Sequence, residues 1–371
     1  MDPSAWNLVC PACHKRYPVD VPRTACCGDF PLDLPSPALD LSAWPPQSRR
    51  IARYADLLPL PEGHSPVDLG EQVTPLLKDP AGSGKILFKM EGLLPTGSFK
   101  DRGYHVLVNR LAAWRVPAVT GDSSGNAAVS LAAYSARAGI RAILHVPVSA
   151  SPGKLDLIRR LGAEIRQAPT RAEARVKALR EAESSFYAGH TGNPFFLHGI
   201  KTLAYEIYDQ LGGSNPGTIV MPVGNGTLLL GLALGFRELY RAGRIHRLPR
   251  LVGVQAKACG PLAIAYRSGS PVPAAIPPTP TAAEGIAIPE PPRGKEILRT
   301  VRDCGGEILA VGEEEIDSAH RDLARRGFLV EPTSATAAAA LRHLKNLGEG
   351  KDPVVVILTG SGLKTLMKKP G

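Results

Sequence analysis

Pro95-Thr96-Gly97-Ser98-Phe99-Lys100-Asp101-Arg102-Gly103 is the stretch that decides how this sequence is read. It sets one lysine in a turn of small and hydroxylated residues, at the point where a helix is predicted to begin. Desolvation lowers the pKa of such an amine, makes it nucleophilic and lets it condense with an aldehyde. Taken alone, the string also fits an exposed lysine at a helix start, so the rest of the chain has to arbitrate.

Three further segments bear on it. Ser123-Ser124-Gly125-Asn126-Ala127 follows the apolar run 116–119 and leads into the apolar stretch 128–134, which predicts strand, polar turn and helix. Amides at a helix N-terminus lack intrahelical partners and suit a substrate carboxylate, while the Asn126 amide suits a phenolate oxygen. Ordinary capping by Ser or Asn is the plain alternative. Gly224-Asn225-Gly226-Thr227 sits between the aliphatic run 218–223 and the helical pattern 228–236. Small residues there let the backbone approach a phosphate, and the helix dipole favours the anion. The loop has neither a Walker ending nor a full dinucleotide fingerprint, and a tight structural turn would look the same. Last comes Val354-Val355-Val356-Ile357-Leu358, then Thr359-Gly360-Ser361-Gly362-Leu363-Lys364. Five aliphatic residues suit a buried parallel strand, beyond whose carboxyl end ligands sit, so Thr359 would meet the ligand. Its hydroxyl can hydrogen-bond a pyridine nitrogen without protonating it.

In this order the four segments resemble the fold-type II pyridoxal-phosphate enzymes, the tryptophan synthase β-like group, and most of all threonine synthase, over about 70–364. The resemblance implies an α/β fold of two open, twisted, mostly parallel sheets flanked by helices, preceded by a short Cys-rich N-terminal extension. It implies that Lys100 holds pyridoxal 5'-phosphate as a Schiff base, with Phe99 beside it and Asn126 facing the ring oxygen. Val223, Gly224, Asn225, Gly226 and Thr227 are expected around the cofactor phosphate, and Thr359 at the ring nitrogen. Ser123, Ser124, Gly125, Asn126 and Ala127 are expected to bind substrate. The segments Ala283-Glu284-Gly285-Ile286-Ala287, Val330-Glu331-Pro332-Thr333-Ser334-Ala335 and Gly199-Ile200-Lys201-Thr202-Leu203-Ala204-Tyr205-Glu206 look familiar from the same group. The domain organisation it implies is an extension over 1–65, a large cofactor-binding domain from 66–106 and 193–371, and a small mobile domain, 107–192, that closes over substrate. Relatives of this kind are often homodimers.

Composition agrees. The 371 residues are 44% hydrophobic and 21% charged, enough for two buried cores. The formal charge of +10 is spread over helix faces such as Arg171, Arg175, Lys177 and Arg180, so a solvated surface and no nucleic-acid partner are expected. With no long apolar run and no signal-peptide pattern at Met1 to Leu8, the sequence predicts no membrane span and a cytoplasmic location.

The 1–65 extension raises a metal question. Cys10-x-x-Cys13 and the pair Cys26-Cys27 suggest a degenerate zinc ribbon, since four thiolates close a tetrahedral site. Adjacent cysteines are awkward ligands for one ion, so His14 is an alternative donor and unligated thiols another outcome. Cys259 and Cys304 are expected to be packing residues.

As to function, the resemblance implies elimination and replacement on an amino acid: O-phosphohomoserine to threonine plus phosphate. The sequence departs from that family at two places. Where threonine synthases commonly carry SSGNT and NPxRxEG, this chain has Ala127 and Asn193-Pro194-Phe195-Phe196-Leu197-His198-Gly199. Two ligands of a substrate phosphate are replaced. The alternatives are cysteate- or cysteine-synthase-like β-replacement, or serine/threonine dehydratase-type deamination, on an unphosphorylated substrate.

Overall fold

The computed structural model describes residues 6–23, 25–27, 32–37, 44–46, 48–80, 84–150, 152–277, 279–344 and 352–366. Among them, no helix is long and apolar enough to cross a membrane. Strands in chain order are β1 (Asn7–Val9), β2 (Arg16–Pro18), β3 (Leu76–Lys78), β4 (Ile86–Met90), β5 (Ala118–Gly121), β6 (Arg141–Pro147), β7 (Glu164–Ala168), β8 (Phe186–Tyr187), β9 (Thr218–Pro222), β10 (Arg250–Ala256), β11 (Glu307–Val311) and β12 (Val354–Leu358).

The chain forms two compact units. One comprises Met1–Gln72 and Lys100–Thr202, the other Val73–Phe99 and Leu203–Leu366. The first contains the antiparallel pair β1-β2 and a four-stranded sheet in the order β7-β6-β5-β8, all of whose neighbours are parallel. The second contains a six-stranded sheet in the order β11-β10-β9-β12-β4-β3, parallel except for its short edge strand β3.

The predicted run 354–358 is β12 itself, and all five residues are buried. It lies between β9 and β4, pairing Val354 with both Thr218 and Ile86. A strand covered on both faces needs no polar alternation, which is why it reads as an unbroken aliphatic run. The Ala-rich helix Pro332–Ala339 packs on this sheet together with Phe88, Val220, Val252 and Val356. Small side chains let the helix approach closely and bring its N-terminal turn to the end of β12.

Candidate active site

In the first unit, the helix Lys100–Ala113 begins on the expected lysine, and each of the next three residues fixes its place. The Asp101 carboxylate is fully buried and accepts from the Ser130 hydroxyl at 2.7 Å, tying this helix to the helix Asn126–Ala138. Arg102 donates to the Thr202 hydroxyl at 3.2 Å. Gly103 leaves room for the Phe196 ring, since a Cβ there would lie 2.3 Å from Cε2. Phe196 comes from the helix Pro194–Ile200, whose start is written in Asn193-Pro194: the Asn193 amide oxygen accepts from the Phe195 and Phe196 amides, and proline opens the helix.

The result is an aromatic setting for the lysine. Lys100 Nζ lies 5.6 Å from the Phe196 ring centroid, with Tyr104 edge-on to that ring at 5.0 Å and His190 tilted against it at 5.5 Å. Lys100 keeps some accessible surface, yet crowding by protein atoms desolvates the amine and brings its pKa down to about 7. That is the condition for a nucleophilic amine near neutrality. Burial, then the charges of Lys100 and Arg175, hold His190 well below the ordinary imidazole range. Among the described residues no hydrogen bond holds its ring, and it remains partly accessible.

The Ser123–Ala127 turn is in the same unit. Gly125 precedes the helix Asn126–Ala138 in an extended conformation and no side chain caps that helix, so the plain capping alternative is not what the chain builds. Ser123 bonds the Gly125 amide at 3.3 Å, and Ala127 is buried.

The second unit holds the other expected residues. The turn before Lys100 is stitched to the turn after β12: Phe99 N–H donates to the Thr359 carbonyl at 3.1 Å, Ser361 N–H to Gly97 at 2.9 Å, and Lys364 Nζ to Thr96 at 3.0 Å. Two of the four segments thus form one hydrogen-bonded piece. Thr359 is buried, with its hydroxyl 3.0 Å from Ser334 Oγ. Ser334 also accepts from Gly360 N–H at 3.0 Å. Its neighbour Thr333 accepts from Gly285 N–H at 3.2 Å, which places the other familiar segments around the same turn.

Val223 N–H continues the ladder beyond β9 by donating to Val254 at 2.8 Å, and Gly226 then turns the chain into the helix Thr227–Arg241. Gly226 has φ +80°, and a Cβ there would lie 2.2 Å from Ile297 Cδ1. No side chain caps this helix either. Backbone amides with no capping side chain at the positive end of a long helix suit a phosphate, the Lys100 amine suits an aldehyde, and the Thr359 hydroxyl suits a ring nitrogen; these donors fit pyridoxal phosphate.

The extension brings Cys10, Cys13, Cys26 and Cys27 together with all four sulfurs within 4.8 Å of one another. Cys10 and Cys27 are 3.5 Å apart and Cys13 and Cys26 are 3.4 Å apart. A tetrahedral ion with metal–sulfur bonds of about 2.3 Å sets its sulfurs about 3.8 Å apart, so the set fits zinc. The adjacent Cys26 and Cys27 nevertheless reach different partners, Cys13 and Cys10. The extension also grips the site's helices. Trp6 packs edge-on against His198 at 4.8 Å, His198 Nε2 donates to the Leu34 carbonyl at 2.7 Å, and Trp114 Nε1 donates to Val19 at 3.0 Å.

Sequence reasoning did not single out Asp101, Tyr104, His190 or Ser334 as functional. Ser334 stood in a segment already marked as familiar, which was its one available signal.

The protein-family model described as "Pyridoxal-phosphate dependent enzyme" matches residues 67–360. The threonine synthase of Methanosarcina acetivorans is 34% identical over 369 residues, covering 95% of this chain and 91% of that protein. The threonine synthase of Methanocaldococcus jannaschii is 35% identical over 374 residues, covering 96% and 92%. Among solved structures, a threonine deaminase from T.th. superposes with a TM-score of 0.66 at 29% identity, covering 78% of this chain and 92% of that one. The L-serine ammonia-lyase of Rhizomucor miehei, at 22% identity and a TM-score of 0.69, covers 78% and 94% and shares the fold.

Proposed function

This chain belongs to the pyridoxal-phosphate dependent enzymes, and on that premise we propose that it is a lyase of the threonine synthase kind, acting on an amino acid by elimination and replacement. One observation carries the reading: Lys100 opens its helix with an amine at about 7, directly after a turn hydrogen-bonded to the Thr359 turn. Lys100 is assigned to the cofactor aldehyde, Asn126 to the ring oxygen, Val223 to Thr227 to the phosphate, and Thr359 to the ring nitrogen. When bound, the cofactor supplies the electron sink that stabilises a carbanion at the substrate α-carbon.

The remaining chemistry falls to the chain. Ser123 to Ala127 bind the substrate carboxylate with helix N-terminal amides. Lys100 would hold the cofactor aldehyde and, with its amine free, would take the α-proton of the substrate and later return a proton. A pKa near 7 suits both tasks at neutral pH. Phe196, Tyr104 and His190 keep water from the amine. The test is borohydride trapping of lysine-linked cofactor, followed by phosphate release from O-phosphohomoserine; a colourless protein with cofactor in excess sinks the assignment.

A second reading is favoured by Phe196. The fully buried ring stands over the Lys100 amine, on the helix where an anion-binding arginine would be expected. That favours an unphosphorylated substrate, by β-replacement or by serine/threonine dehydratase-type deamination, because a buried phosphate needs charged partners. Ammonia and 2-oxo acid from serine or threonine, with no phosphate release from O-phosphohomoserine or O-phosphoserine, would decide for it.

Zinc is assigned to Cys10, Cys13, Cys26 and Cys27 as a closed structural site, checked by metal analysis before and after chelation. A homodimer is assigned as the working assembly; sedimentation of a monomer at assay concentration would reject it.

A further inference from the structure

We infer that Ser334 is a positioning residue: it orders the Thr359 hydroxyl as a proton donor toward the ring nitrogen of the bound cofactor and so holds that ring unprotonated. The inference rests on the assignment of Thr359 made above and adds to it the direction of the hydrogen bond and the residue that sets it.

Proton counting and distance together give the direction. A hydroxyl has one proton and two lone pairs. Ser334 Oγ accepts the Gly360 N–H at 3.0 Å. Its own proton has two acceptors within reach: Thr359 Oγ1 at 3.0 Å and the Gly360 carbonyl at 3.3 Å. That carbonyl has a second lone pair beside the one that accepts the Glu331 N–H at 3.0 Å, so distance decides, and the nearer acceptor is Thr359. With Ser334 donating to it, Thr359 cannot return its own proton to Ser334, and that proton points to whatever the hydroxyl faces. Both side chains are buried, so water does not scramble the order.

The chemical consequence concerns reaction type. A pyridine nitrogen without a proton accepts from such a hydroxyl; a protonated one needs an acceptor, commonly a carboxylate. A neutral ring withdraws electrons less strongly than a protonated one, which disfavours transamination relative to elimination and replacement. Ser334 therefore guards the reaction class without touching the reacting atoms.

The experiment uses holoenzyme loaded with cofactor carrying an isotope-labelled ring nitrogen, followed by NMR from about pH 6 to about pH 9. Wild-type enzyme is expected to give the signal of an unprotonated ring that does not titrate. In Ser334→Ala the signal should move and become pH-dependent, and the ratio of transamination to elimination should rise about tenfold, the worth of one ordered hydrogen bond. Ser334→Thr should restore both readouts, and Ser334→Cys, which keeps the volume with a weaker donor, should fall between. A merely structural role would lower the melting temperature and leave the ring signal alone. A signal unchanged by Ser334→Ala overturns the inference. If Thr359→Ala still moves it, only Ser334's part has failed; if neither substitution moves it, the assignment of Thr359 has failed as well.

Discussion

The two units contribute in different currencies. The half built from Val73–Phe99 and Leu203–Leu366 offers mostly backbone: a helix start behind Gly226 that no side chain caps, a turn pinned by Phe99 N–H, and beside them two hydroxyls 3.0 Å apart. The half built around Lys100–Thr202 offers side chains: a lysine, two aromatic rings and an imidazole packed on one another. Backbone donors grip a phosphate whatever the side chains are, whereas side chains decide which substrate fits and what becomes of its proton. On the assignments proposed above, the cofactor phosphate and ring nitrogen fall to the backbone-rich half, while its aldehyde and the choice of substrate fall to the half that departs from the threonine synthase pattern at Ala127 and Phe196.

The largest expected effect tests whether the side-chain half is catalytic at all. Lys100→Ala should lower turnover by about 10²–10⁴-fold, the usual worth of a general acid–base group, and abolish borohydride-trapped cofactor. A protein that still traps cofactor on a lysine refutes the assignment. Next, Phe196→Arg should lower KM for a phosphorylated substrate by about tenfold to hundredfold, the effect of one charge-assisted hydrogen bond worth about 1.5–3 kcal/mol. Equal KM values in Phe196→Arg, Phe196→Leu and wild type would mean that this helix does not read the substrate.

On the backbone side, Gly226→Ala forces φ +80° on a residue with a Cβ and presses it on Ile297, so cofactor Kd should rise about tenfold while substrate preference stays unchanged. A shift in preference would blur the division between the halves. The smallest effect is a pH shift. Only the neutral amine attacks an aldehyde, so cofactor uptake by apoprotein should rise with pH and reach half its maximum near pH 7, where Lys100 titrates. The linkage has a definite sign: the folded pKa lies below the ordinary 10.5, so between those values the unfolded chain binds more protons and apoprotein stability falls as pH drops from 10.5 to 7. Half-maximal uptake near the ordinary lysine value instead would show that the amine is not desolvated.

Sequence legibility follows the same division. The central strand could be read residue by residue at 354–358 because burial on both faces leaves no polar interruption. The edge strand β3 and the two-residue β8 gave no signal, being short and only partly buried. Lys100 and the Gly226 loop were legible because their chemistry is local: a lysine in a turn, and small residues before a helix. Asp101 with Ser130, Arg102 with Thr202, and Ser334 with Thr359 were not, since each partner comes from a distant part of the chain. The thiol cluster was legible as a set of four, Cys10, Cys13, Cys26 and Cys27, but not in its pairing. Adjacency counted against Cys26 and Cys27 as joint ligands, whereas the two side chains reach different partners, Cys13 and Cys10.

The position of β12 has a consequence for biosynthesis. Val354–Leu358 fills the gap between β9 and β4, so the six-stranded sheet cannot close while a ribosome is still making the chain up to that point. Until then the 97–99 turn has no 359–361 turn to hold, and such non-local pairing is slow and exposed. A nascent or stalled chain therefore lacks the hydrogen bonds that join these two turns, and the Thr359 hydroxyl takes its place beside Ser334 only once that strand has been translated.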